Sequence, residues 1–418
     1  MIDHVASGGD GVVRGAEGPV FVPLVLPGER VRLGPIVPRG KVLTAPAEVL
    51  EASADQVVPP CVHFGDCGGC RLQHWRDEPY RAWKHARVVA ALAKAGFEVK
   101  VPPLVAAGPG TRRRLDLAAR REPGRVALGL HAAREARVVD LSLCVIAAPA
   151  LVALLGPLRL LLAGLSGFRR EADIHVNLLD TGPDLLIRAD AALTVADRAR
   201  LAGFAEAHGI PRIAWARGGG VPEIAAQWSR PVITFGGVAV TPPAGAFLQP
   251  SREAEAAIVG AVLAALPAKG AVLDLYAGVG TISLPMANGR TVTAVEGDAA
   301  ACAALDAASR GIGGRVRVIR RDLARQPMAG GELRGFAAVV LDPPYAGARE
   351  QVAALAASGV ARVVMVSCNP EALARDAGLL RSAGYACDSA VAIDAFLWGA
   401  DVETVAVFTR NVGRSATR

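Results

Sequence analysis

Hydrophobic and polar positions alternate in three different ways along the 418 residues. In residues 1 to about 50, short apolar runs such as Val20-Phe21-Val22 and Arg30-Val31-Arg32-Leu33 are punctuated by Gly8-Gly9, Gly11, Gly15 and Gly18. That spacing predicts short strands and tight turns, with Pro27-Gly28-Glu29 as one of the turns. Pro59-Pro60 marks a boundary. Beyond it the pattern is mixed, with a helix expected from Pro79 to Ala95 and another buried over Leu151 to Leu165. Strand-like stretches recur at Arg112–Arg120, Val126–His131, Ile174–Leu178 and Asp184–Ala189. From about residue 250 a helix (Arg252–Leu266) and then short strands alternate with helical stretches. The strands are Ala271–Leu275, Thr291–Glu296, Arg315–Arg320, Ala337–Leu341, Arg362–Ser367 and Glu403–Thr409. Strands alternating with helices predict a doubly wound, mostly parallel sheet.

The expected fold is therefore α/β. A C-terminal Rossmann-like domain (246–418) would follow a mixed α+β central domain (56–245) and a small N-terminal OB-like β-barrel (1–55). Residues 79–97 are expected to pack on the C-terminal domain. Composition adds a formal charge of +7, carried mainly by arginine, which forks onto phosphates. A polyanionic partner, RNA in the first place, follows from that balance. The longest apolar run is too short to span a bilayer and contains Pro157 and Arg159. With a polar, Gly-rich start, this predicts a cytoplasmic protein without membrane association. It is expected to be a monomer.

Asp274-Leu275-Tyr276-Ala277-Gly278-Val279-Gly280-Thr281 follows one strand and opens a helix. Glycines there let the backbone pass beneath a ligand at the carboxyl edge of the sheet. The next strand ends in Glu296, an acid suited to a ribose diol. A dinucleotide site has a similar outline. The absent third glycine and the acid Asp274 favour S-adenosylmethionine. Tyr276, Thr281, Glu296, Asp322 (toward the adenine amino group) and Asp342 are the expected contacts.

Leu341-Asp342-Pro343-Pro344-Tyr345 makes a rigid loop at the same edge. Alone it resembles the signature of amino-group methyltransferases. The next strand ends in Ser367-Cys368-Asn369-Pro370, and the last begins at Glu403. A thiol facing the crevice suits covalent attack on C6 of a uracil, and a carboxylate suits removal of the C5 proton. A lone Cys368 would otherwise read as a buried core thiol.

Cys61-x5-Cys67-Gly68-Gly69-Cys70 is the other constellation, with Cys144 far downstream. Four thiolates suit zinc or an iron–sulfur cluster, and the three-plus-one spacing favours the cluster. His63 and His74 flank the motif and are expected at the surface or against RNA. Cys302 and Cys387 are expected to be inert.

Together these motifs resemble the RNA 5-methyluridine methyltransferase family. There Ser-Cys-Asn-Pro supplies the nucleophile (Cys368 here) and a late Val-Glu strand the base (Glu403). Phe247-Leu248-Gln249-Pro250-Ser251 resembles its Phe-x-Gln-x-Asn motif, which implies that Gln249 contacts the cofactor. The Leu26-Pro-Gly-Glu-Arg-Val31 segment resembles the TRAM RNA-binding barrel. The cysteine motif resembles the family's [4Fe-4S] site, implying Cys61, Cys67, Cys70 and Cys144 as ligands. Barrel and cluster together imply the large-subunit (23S) ribosomal RNA branch, with transfer RNA as the other substrate class. Three positions depart from the pattern. Tyr345 replaces an arginine, Ser251 an asparagine, and Phe396-Leu-Trp-Gly-Ala-Asp-Val-Glu403 stands for Phe-Pro-x-Thr-x-His-Val-Glu. A methyltransferase acting on base amines, or an RNA-binding assembly factor with decayed catalysis, are the alternative readings.

Overall fold

A computed structural model describes residues 1–410. Strands His4–Val5, Gly11–Gly15, Gly18–Val22, Val42–Thr44 and Val37–Arg39 form one five-stranded sheet in that spatial order. Strands Arg30–Leu33 and Ala47–Glu51 pair beside it. The inward apolar residues Ile2, Val20, Val22, Val25 and Ala45 make a core of their own. Glu29 is buried at the Leu26-Pro-Gly-Glu turn and accepts the Leu26 N–H at 2.9 Å, which closes the turn around Gly28.

The middle of the chain builds a seven-stranded sheet. Its order is Val138–Asp140, Arg125–His131, Arg114–Glu122, Glu171–Leu179, Gly182–Ala189, Arg212–Arg217, Glu223–Gln227. Helix Pro149–Gly164 covers it, burying Leu151, Leu154, Leu155, Leu158 and Leu162 at helical spacing. Pro157 lies inside this helix without ending it. The Arg212 guanidinium, buried beside that sheet, holds Asp184 with two bonds of 2.8 and 2.7 Å.

The C-terminal sheet has eight strands, ordered Val316–Arg320, Val292–Glu296, Val272–Leu275, Ala338–Leu341, Arg362–Ser367, Glu403–Arg410, Tyr385–Asp394, Val105–Ala106. The first five are parallel, and Glu403–Arg410 inserts antiparallel to both its neighbours. Strand Tyr385–Asp394 was not expected from the sequence. Its exposed stretch Cys387-Asp388-Ser389 carries a bulge that breaks the apolar run. Both faces are covered. Helices Arg252–Ala265 and Ala299–Arg310 lie over one, and Arg349–Ser358 and Pro370–Ser382 over the other.

Helix Asp77–Lys94 also packs on this sheet. Val88, Ala91 and Leu92 join the core that holds Leu373, Leu380 and Tyr385. A buried polar cluster fastens its other flank. Lys84 pairs with Asp394, both wholly buried, and donates to the Phe396 carbonyl at 2.9 Å. Tyr80 donates to the second Asp394 oxygen at 2.6 Å and accepts the Trp398 N–H at 2.7 Å. Among the described residues, no helix is long and apolar enough to cross a membrane.

Candidate functional site

The crevice lies at the carboxyl ends of the central parallel strands, where such sheets bind ligands. After strand Val272–Leu275 the chain turns sharply. Tyr276 adopts a left-handed conformation (φ 65°) that few non-glycine residues take. Its N–H and that of Ala277 both bond the Val295 carbonyl, which holds the strained turn in place. Gly280 must be glycine, since a Cβ there would meet Leu305 at 2.5 Å. Glu296 is drawn under this loop. One of its oxygens accepts the Gly278 N–H at 2.8 Å and the other the Asp298 N–H at 2.7 Å. Thr281 follows at the entrance to the short helix Ser283–Met286, half-buried.

Asp274 is buried in the sheet. Ser283 donates to one carboxylate oxygen and the other has no partner. Burial first, then the charges of Asp342 and Glu296, push its carboxyl up to about 7. Asp342 likewise rises to about 7 through burial. Gln249, itself buried, donates to Asp342 at 3.2 Å and so joins the loop before helix Arg252–Ala265 to the Asp-Pro-Pro loop. Asp322 stands farther out and exposed, accepting the Ala324 N–H at 3.0 Å in its own turn. These groups form a carboxylate-rich crevice with glycine floors. An unpartnered buried carboxylate oxygen and an acid under the glycine loop suit a cationic, ribose-bearing ligand such as S-adenosylmethionine.

Cys368 ends strand Arg362–Ser367 and is half-buried. The register Ser367↔Thr404 sets it beside Glu403, which begins the neighbouring antiparallel strand. Glu403 is buried, with Oε1 lacking any hydrogen-bond partner. Burial, then the charges of Asp342 and Asp401, raise its carboxyl far above the usual range. The Cys368 thiol is pushed up to about 12 by burial and then by Glu403, Asp342 and Asp401. In this electronegative crevice both resting groups hold their protons. A bound cation would favour the ionised forms of both.

The departures from the family pattern surround this pair. Ser251 caps helix Arg252–Ala265 by accepting the Ala254 N–H at 3.1 Å, so the substitution serves the helix start. Tyr345 donates to Asp401 at 3.4 Å across a polar cavity of about 390 Å³. The cavity is also walled by Gly8 of the barrel, Arg71 of the cysteine loop and Arg87 of helix Asp77–Lys94. A larger cleft of about 670 Å³ opens between Arg188 and Arg212 of the central sheet and Gly278 and Glu296 of the glycine loop. Exposed Phe247 lines it, with Arg114 stacked 4.8 Å from the ring centre. Sequence reasoning missed Tyr80, Lys84 and Asp394. Their only sequence signal was a lysine and a tyrosine on the apolar face of a helix.

The cysteine loop, residues 61–76, has no helix or strand of its own. Its four candidate ligands are half-buried free thiols. Cys67 and Cys144 pack at the edge of the central core. The Cys70 thiol is pushed up to about 12 by burial, opposed by a Gln73 hydrogen bond, and raised further by Cys144, Cys67 and Cys61. The four sulfurs thus lie within electrostatic reach of each other. Among the described residues no three of them stand in closed metal-binding geometry. The donor chemistry suits a soft metal centre. His74 departs from expectation. It is buried against Phe64, with both ring nitrogens unpartnered, and burial lowers its pKa to about 4. An uncharged ring in an apolar niche packs there and offers RNA no cation. His63 instead accepts the Ser142 N–H at 3.1 Å, tying the loop to the segment that carries Cys144.

Similarity to known proteins fits this architecture. The family model described as "Conserved hypothetical protein 95" matches residues 242–373. An uncharacterised RNA methyltransferase of Brucella suis is 42% identical over 411 residues, covering 98% of this chain and 97% of that one. The 23S rRNA (uracil(1939)-C(5))-methyltransferase of Chromohalobacter salexigens is 33% identical, covering 99% of this chain and 89% of its own. The solved Pyrococcus abyssi tRNA (uracil-54, C5)-methyltransferase, bound to S-adenosyl-L-homocysteine, shares the fold at a TM-score of 0.76 and 22% identity, covering 98% and 99% of the two chains. With two full-length relatives above 30% identity and the motifs in order, the chain belongs to the S-adenosylmethionine-dependent RNA 5-methyluridine methyltransferase family.

Proposed function

We propose that this enzyme methylates C5 of a uridine in large-subunit ribosomal RNA, with Cys368 as nucleophile and Glu403 as base. The observation that carries the reading is their placement. A half-buried thiol and a buried carboxylate with an unpartnered oxygen end adjoining strands in one crevice. The ribosomal substrate rests on the likeness to the Chromohalobacter enzyme.

Bound S-adenosylmethionine supplies an electrophilic methyl group. Gln249, Tyr276, Thr281, Glu296, Asp322 and Asp342 line its site in this reading. The Cys368 thiol gives up its proton to solvent, its sulfur bonds to uracil C6, and the ring electrons gather at C5, which becomes nucleophilic. After C5 is methylated, with S-adenosylhomocysteine as the leaving group, Glu403 in its ionised form takes the C5 proton. The C5–C6 double bond reforms as the C6–S bond breaks, and the thiolate is released. Residues 1–55 and the central unit (56–245) hold RNA, while 246–410 perform the chemistry.

Cys61, Cys67, Cys70 and Cys144 would hold a [4Fe-4S] cluster. Its contribution there is structural, since it would bind two distant segments through four thiolates.

The deciding experiment uses in vitro transcribed 23S RNA containing 5-fluorouridine together with S-adenosylmethionine. Fluorine cannot leave as a proton, so the wild-type enzyme should stall as a denaturation-resistant adduct. Cys368→Ala should form none. An adduct that persists in that variant refutes the role.

A further inference from the structure

Tyr345 and Asp401 meet over the cavity lined by Asn369, the residue after Cys368, and each is held by the scaffold. The Asn369 side chain, next to the nucleophile, donates to the Tyr345 carbonyl at 3.1 Å. Arg375 donates to the Ala346 carbonyl at 2.8 Å, and Asp376 accepts the Ala348 N–H at 2.8 Å, so the Tyr345 loop is pinned from below. The loop bearing Asp401 is gripped from three sides. Both the Arg71 and Leu72 N–H groups donate to the Trp398 carbonyl, at 2.8 and 3.1 Å. Arg87 donates to the Ala400 carbonyl, and Lys84 to that of Phe396. Trp398 is held there in a left-handed conformation (φ 56°), which an unconstrained tryptophan avoids. The Tyr345 ring is 58% exposed toward this cavity, and Asp401 is half-buried at its wall.

A carboxylate accepts hydrogen bonds and donates none. Uracil and cytosine differ at this edge. Uracil presents an N3–H donor, whereas cytosine presents an N3 lone pair that a carboxylate repels. We infer that Asp401, oriented by the Tyr345 hydroxyl, reads the target base by accepting its N3–H and so selects uracil over cytosine. The inference rests on the covalent reading above, because the base must lie over Cys368. Asp401 is then a specificity residue and Tyr345 a positioning residue whose exposed ring also borders the base. The guanidinium of Arg87 at the cavity wall is engaged by the Ala400 carbonyl.

The test measures rates of adduct formation on in vitro transcribed 23S RNA carrying either 5-fluorouridine or 5-fluorocytidine. The enzymes are the wild type, Asp401→Asn and Tyr345→Phe, with S-adenosylmethionine affinity and circular dichroism recorded for each. The wild type should trap only the fluorouridine RNA. Asp401→Asn can donate to a cytosine N3, so its uridine-to-cytidine ratio should fall roughly 10- to 100-fold, the range of one hydrogen bond to a charged group. Tyr345→Phe keeps the ring and loses the hydroxyl, and should shift the ratio the same way by less. Cofactor affinity should stay at the wild-type value in both. A wild-type adduct with an unchanged ratio in a folded Asp401→Asn overturns this inference alone. If that variant misfolds, an unchanged ratio in Tyr345→Phe overturns it. No wild-type adduct on either RNA overturns the covalent reading and this inference with it.

Discussion

The reaction centre and the cysteine loop both gather groups from distant parts of the chain, by opposite means. At the reaction centre, Asp274, Asp342, Cys368 and Glu403 each sit at the end of a strand fully paired on both sides. Backbone pairing positions them before any ligand arrives, and their buried carboxylates pay in raised pKa values. The cysteine loop has no helix or strand and is held by scattered single bonds. Gly68 N–H bonds the His131 carbonyl, and Arg71 and Leu72 bond Trp398. Gln73 Oε1, Trp75 Nε1 and both nitrogens of His74 stay buried without partners. A crevice built on a sheet can tolerate unpartnered polar atoms because the scaffold supplies the stability. A loop with the same defect needs an added tie, which four thiolates on a metal centre would provide.

That contrast can be broken experimentally. Glu403→Gln should retain the fold, bind RNA and still transfer the methyl group, yet lower turnover about 10²- to 10⁴-fold, the range for losing a positioned base. Adduct should accumulate on natural RNA, because addition precedes proton removal. Normal turnover, followed by tritium release from C5, would assign the base elsewhere.

Lys84→Ala attacks the brace that joins the two regions. It leaves the buried Asp394 without its cationic partner, and about 3–5 kcal/mol of stability should be lost, measured by chemical denaturation. Tyr80→Phe removes only one hydrogen bond of that cluster, so its loss should be smaller, about 1.5–3 kcal/mol for a bond to a charged group. Equal losses would show that Tyr80 holds the Trp398 loop as strongly as the ion pair does.

Replacing Cys144 by serine should affect the loop more than the sheet. Protein prepared without oxygen should be brown, with about four irons per chain. The variant should lose the colour and become protease-sensitive near residue 70, while S-adenosylmethionine affinity changes less than about threefold, since no cofactor contact is touched. Colourless wild-type protein containing zinc would replace the cluster by a zinc site.

The smallest effect concerns pH. The folded Asp274 carboxyl titrates at about 7, against an ordinary 3.8. The native state therefore holds this proton more tightly than the unfolded chain. Its contribution to stability is complete below about 3.8 and is lost as pH rises through about 7. Asp274→Asn should reduce the slope of melting temperature against pH over that window, leaving the parallel shares of the other raised carboxyls, Asp342 and Glu403 among them. An unchanged pH dependence would mean that Asp274 is already ionised at low pH in the native protein.

The apolar strands of the C-terminal sheet, its glycine loop and the reacting motifs could be read from residues 250 onward because they are local. Val272–Leu275, Ala338–Leu341 and Arg362–Ser367 are runs that only a doubly covered sheet can bury. Cys368 and Glu403 were named from their strand-end positions. Their adjacency arises from inserting the last strand antiparallel between Arg362–Ser367 and Tyr385–Asp394. That insertion is not written in the local sequence of either flanking strand, because strand pairing is a long-range contact. Equally, nothing near Lys84 or Tyr80 announces Asp394, which lies more than 300 positions away. The same holds for His74, whose niche depends on Phe64 and on the loop's closure. Local sequence thus determined which residues carry reactive chemistry and which segments become strands. Tertiary structure alone decided which of them share a crevice, which carboxylates lose water, and that Tyr345 meets Asp401, because burial and long-range pairing depend on how the whole chain is packed.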